Sequence, residues 1–85
     1  MPQITARDAN AVRKWVTETP HHIGFHEHSK TGKFFLVLTD GKGGNRLRIP
    51  ELILKEADLV PGDPDNRYMF LPRGHALAAG NQLPG

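Results

Sequence analysis

The stretch HIGFHEHSKTGKFFLVLTDGKGGNRLRI, residues 22–49, decides the fold. It holds three β-type runs separated by two turns. In residues 22–28 the side chains alternate. Ile23 and Phe25 take one side, and His22, Gly24, His26 and His28 take the other. Residues 33–39 are apolar on both sides, with Phe34, Leu36 and Leu38 on one and Phe35 and Val37 on the other. A strand apolar on both faces is a central strand. In residues 46–49, Leu47 and Ile49 alternate with Arg46 and Arg48. The segments between the runs, 29–32 and 40–45, are rich in glycine and small polar residues that tolerate tight turns. Three strands joined by short turns make an antiparallel meander.

The apolar face of such a sheet needs cover, and the flanking segments supply it. Upstream, Thr5 reads as a helix N-cap with Asp8 three residues on. An apolar stripe follows at helical spacing: Ala9, Val12, Trp15 and Val16. A helix is predicted over 6–18, ended by Pro20, which pushes Thr19 into an extended conformation. Downstream, Pro50 and Glu51 suit the start of a short helix, predicted over 51–58, although the run Leu52, Ile53, Leu54 also fits a strand. Residues 61–66 carry two prolines and form a loop. Residues 67–71 read as a fourth strand, stopped by Pro72.

The expected fold is therefore α+β. It is a small two-layer domain, an antiparallel three- to four-stranded sheet with an N-terminal helix packed on one face, in the order α-β-β-β-(α)-β. The domain spans 1–73, and 74–85 is a flexible C-terminal tail. The helix is expected to cover Ile23, Phe25, Leu47 and Ile49. That leaves His22, His26, His28, Arg46 and Arg48 on the far face, with one of the two apolar sets of residues 33–39 beside them.

Composition bounds the function. With 85 residues the chain makes one domain with a thin core. Hydrophobic residues at 38% and charged residues at 24% are ordinary globular values and exclude a fully disordered chain. A thin core leaves room for a second copy to complete it, as a homodimer. The absence of cysteine removes disulfides, thiolate nucleophiles and every cysteine-containing zinc site. No segment approaches the roughly 20 apolar residues of a membrane helix, and the first residues have no leader character. A soluble, cytoplasmic protein without membrane contact is expected.

Charge is unevenly spread. Residues 1–50 set Arg7, Arg13, Lys14, Lys30, Lys33, Lys42, Arg46 and Arg48 against Asp8, Glu18, Glu27 and Asp40. Residues 51–85 reverse the balance, with Lys55, Arg67 and Arg73 against Glu51, Glu56, Asp58, Asp63 and Asp65. A basic half attracts anions, although an ordinary solvated surface has the same look.

Three chemistries compete for these residues. The first is docking on a protein partner by a non-catalytic binding module, in the manner of a small inhibitor or an accessory protein of mobile-element type. The second is nucleic-acid binding, with a sheet face that stacks bases and holds phosphates. Both draw on the same candidates: His22, His26, His28, Lys30, Lys33, Lys42, Arg46 and Arg48. The third is a transition metal such as zinc on His26 and His28, which share a face about 6.6 Å apart on a strand. His75 or Glu27 is then the third ligand, and strand geometry turns Glu27 to the opposite side. Two imidazoles fall short of the three protein ligands of a catalytic zinc site, so no cofactor is expected. No enzyme activity is expected either. Ser29 is the only serine and sits in a turn, with no nucleophile elbow around it, and the glycine-rich turns do not match a phosphate-binding loop.

Overall fold

The computed structural model describes residues 3–41, 44–63, 65 and 67–78. The elements run β1 (Gln3–Thr5), α1 (Ala9–Glu18), β2 (Ile23–His28), β3 (Phe34–Thr39), β4 (Arg46–Pro50), α2 (Glu51–Ala57), β5 (Leu59–Pro61) and β6 (Phe70–Pro72). The fold is α+β, with a four-stranded sheet in the order β1-β4-β3-β2 and both helices on one face. The meander β2-β3-β4 is antiparallel, as its alternation and turns dictate. No helix among the described residues is long and apolar enough to cross a membrane.

The first helix begins later than predicted. Asp8, not Thr5, is the N-cap, and its carboxylate accepts the Ala11 N–H at 2.7 Å. Residues 3–5 form a strand instead and pair parallel with β4. The Ala6 N–H donates to the Arg48 carbonyl at 2.9 Å, so the chain is held on the sheet until just before the cap. The sheet is consequently mixed rather than antiparallel throughout. At the other end α1 stops as predicted, with Thr19 extended and its N–H on the Trp15 carbonyl.

The second helix forms over Glu51–Ala57 and ends on Asp58 in the left-handed conformation. Its last carbonyls are answered from α1. The Arg13 guanidinium donates to the Ala57 carbonyl at 3.1 Å and to the Glu56 carbonyl at 3.0 Å. A cation at a helix C-terminus satisfies orphan acceptors and the helix dipole together.

The core lies between the helices and one sheet face. Val12 and Val16 of α1 and Ala57 of α2 pack with Leu36, Leu38, Leu47 and Ile49. All seven are buried. Trp15 is half-buried at the margin of this core.

The fourth strand expected at 67–71 is not part of this sheet. Phe70–Pro72 pairs with Leu59–Pro61 as a separate antiparallel ribbon. Just before it, Tyr68 forms an isolated parallel bridge with His21. Of the segment expected as a tail, 74–78 is described, and Ala78 is buried against Val60 and Leu71. Residues 79–85 lie outside the described residues.

Candidate interaction face

Partners across a strand pair share a face, so the register sorts the side chains. Gly24, His26 and His28 stand opposite Leu38, Leu36 and Phe34. They therefore belong to the helix-covered face. Ile23, Phe25 and Glu27 stand opposite Thr39, Val37 and Phe35, which in turn stand opposite Arg46, Arg48 and Pro50. These residues make the face turned away from both helices.

The distribution expected from sequence is thus corrected in one respect. Ile23 and Phe25 do not lie with Leu47 and Ile49 under the helix, and the histidines do not lie with the arginines. Because β3 is apolar on both sides, the helices select Leu36 and Leu38 for the core, and pairing then carries β2 along in the opposite sense. Arg46 and Arg48 fall on the open face as expected.

The open face has a defined chemistry. Ile23 and Phe25 are each 39% exposed. Val37 is buried without helical cover, hemmed by its pairing partners Phe25 and Arg48. The Arg48 guanidinium crosses over β3. It lies 4.1 Å from the Phe35 ring centroid and bonds the Glu27 carboxylate on β2 at 2.7 Å. An arginine over a ring face gains about 0.5–2 kcal/mol, depending on desolvation. The buried Arg48 Nε has no acceptor among the described residues, so the guanidinium is held by its outer nitrogen and by the ring. Arg46 is exposed and has no ion-pair partner among the described residues.

The other candidates scatter. Lys30 and Lys33 are exposed at the turn between β2 and β3. Ser29 builds that turn. Its hydroxyl accepts the Lys33 N–H at 3.0 Å and bonds the Thr31 hydroxyl at 2.9 Å, while Gly32 takes the positive φ of 84° that the turn requires. Lys42 lies outside the described residues. His22 is exposed just before β2.

His26 and His28 both pack against Phe34, with ring centroids at 4.7 and 5.1 Å. Glu27 is on the opposite face, committed to Arg48, and His75 Nδ1 accepts the Leu77 N–H at 3.1 Å. Among the described residues no three histidine or acidic side chains come together as a metal-ligating group.

The residue that sequence reasoning passed over is His21. It is fully buried. Its ring lies 5.5 Å from Trp15 and 6.0 Å from Tyr68, centroid to centroid. Nδ1 is 2.8 Å from the Thr19 carbonyl, which makes it the protonated nitrogen, and Nε2 accepts the Phe70 N–H at 3.2 Å. The backbone joins in: the His21 N–H donates to the Arg67 carbonyl, and the Met69 N–H donates to the His21 carbonyl. Burial holds the imidazole below its ordinary pKa, outweighing the backbone hydrogen bonds at Thr19 and Phe70, which act in the opposite direction. His21 is the peg that fastens the C-terminal ribbon to the end of α1. No local signal in the sequence marks it, because its partners Arg67, Met69 and Phe70 lie far along the chain.

No family model, no curated protein and no solved structure matches this chain.

Proposed function

We propose that the protein is a non-catalytic module that docks on a protein partner through the open face of its four-stranded sheet. One observation carries the reading. The register sets Ile23 and Phe25, both well exposed, on the face that neither helix covers. An exposed apolar patch bordered by charge is a usual docking surface, and a large aromatic at its centre is the usual anchor. Occupying a partner's surface in this way suits an inhibitor or an accessory protein.

Nucleic-acid binding is the second reading, favoured by Arg46 and Arg48 lying on the same face as Phe25 and Phe35. It draws less support. Arg48 is matched by Glu27, and His26 and His28 are on the other side of the sheet.

The test is capture from a lysate treated with nuclease, by the wild-type chain and by Phe25→Asp. The expected result is a specific protein that survives nuclease and is lost with Phe25→Asp, while the circular dichroism spectrum of the variant remains that of the folded wild type. Identical capture by both chains, or capture that vanishes with nuclease, refutes the proposal.

A further inference from the structure

We propose that the occupant of the open face is an acidic protein segment, which sets an apolar side chain against Ile23 and Phe25 and a carboxylate against Arg46. This rests on the docking reading above and names the chemistry of its partner.

The charges on the face lead to it. Arg48 and Glu27 answer each other across β3. Arg46 is left exposed and unmatched among the described residues, in the same row as Thr39 and Ile23. With strands about 4.8 Å apart, Arg46 stands roughly 10 Å from Ile23, within the span of one short segment laid across the sheet. Lys30 and Lys33, both exposed, flank the end of the face where Glu27, Phe35 and Pro50 lie. The unanswered charge of this surface is positive, and electrostatic complementarity asks for a negative partner.

Three features favour a protein over a nucleic acid. Phe35, the aromatic of the central strand on this face, already lies under a guanidinium and is not a free platform for a base. Ile23 offers no ring for stacking. Glu27 keeps its carboxylate partly exposed at the end of the face away from Arg46, where it repels a phosphate chain running the length of the sheet, whereas a short segment laid across the row of Arg46, Thr39 and Ile23 does not reach it. A second copy is the poorer occupant as well. Two such faces brought together would oppose Arg46 and the turn lysines to surfaces of the same sign.

The experiment is panning of a random phage-displayed peptide library against the full chain, followed by NMR shift mapping with a synthesised peptide that was enriched. The wild type is expected to enrich peptides that carry Asp or Glu beside an aromatic or aliphatic residue, mapping to Ile23, Phe25 and Arg46. Arg46→Glu, an exposed change on a surface strand, is expected to bind those peptides about tenfold more weakly or worse. Panned afresh, it should enrich Lys or Arg in their place. Enriched peptides that are neutral or basic yet map to the same residues overturn the acidic partner and leave the docking face standing. Peptides that map elsewhere, or no enrichment at all, overturn the docking reading and this inference with it. Tighter binding of a labelled oligothymidine at the same residues assigns the face to nucleic acid instead.

Discussion

Mild acidification should weaken this protein through a single side chain, His21. In the folded state the ring is buried, with Nδ1–H on the Thr19 carbonyl and the Nε2 lone pair on the Phe70 N–H. Protonation at Nε2 would turn two N–H groups against each other and bury a charge. Burial accordingly holds the folded pKa below the ordinary 6.5. In the unfolded chain the ring takes up its proton near 6.5. Stability is thus complete above that pH and is lost as the pH falls towards the lowered folded value, because unfolding then consumes a proton. Where the unfolded ring is charged and the folded ring is not, the slope approaches about 1.4 kcal/mol per pH unit. For a domain of this size that is a Tm change of about 6–11 °C per unit. The assay is a series of thermal melts between about pH 8 and pH 5, run on the wild type and on His21→Gln. The variant starts from lower stability, having lost the ring contacts, but its curve should lack this slope. Subtracting the two curves isolates the part of the pH dependence that belongs to His21. Parallel curves would refute the argument. So would an NMR titration of the wild-type ring with a midpoint at or above 6.5, a reading that does not depend on the variant folding.

Two further predictions follow from packing. Leu38→Ala should cost about 2–5 kcal/mol in chemical denaturation, since Leu38 is fully buried between sheet and helices, while Phe25→Ala on the open face should cost well under half as much; equal losses would mean that something covers the open face. Arg13→Met keeps the stem of the side chain but removes its bonds to the last carbonyls of α2. A loss of about 1–2 kcal/mol is expected, with hydrogen exchange at the end of α2 accelerated first; an unchanged melt would mean that water serves those carbonyls equally well.

The parts of the fold that were legible in the sequence are those written in local periods. Alternation in 22–28 and 46–49, glycine-rich turns and a run apolar on both sides specify the meander without reference to anything distant. The end of α1 before Pro20 is likewise local, whereas the local pattern of 51–58 fitted a helix or a strand and only the structure shows the helix Glu51–Ala57. The strand at Gln3–Thr5 was not legible. Three residues carry no period, and Thr5 and Asp8 are both competent caps. Pairing with β4 decides between them, through the Ala6 N–H on the Arg48 carbonyl. His21 was illegible for a related reason. Its hydrogen-bond partner Phe70 lies 49 residues away, and nothing near His21 announces that a chain will return there.

The same division governs the candidate site. The sequence by itself determines that Arg46 and Arg48 share a face, that Ile23 and Phe25 share a face and that His26 and His28 share a face, because side chains two apart on a strand point the same way. Which of these sets meet is decided only in three dimensions. With β3 apolar on both sides, either register buries a respectable core, and the local pattern has no preference. Two helices that fill their faces with Leu36, Leu38, Leu47 and Ile49 settle the matter, and the hydrogen-bonded ladder then places Phe25 in the same cross-strand row as Arg48, with Val37 between them, and turns the histidines away.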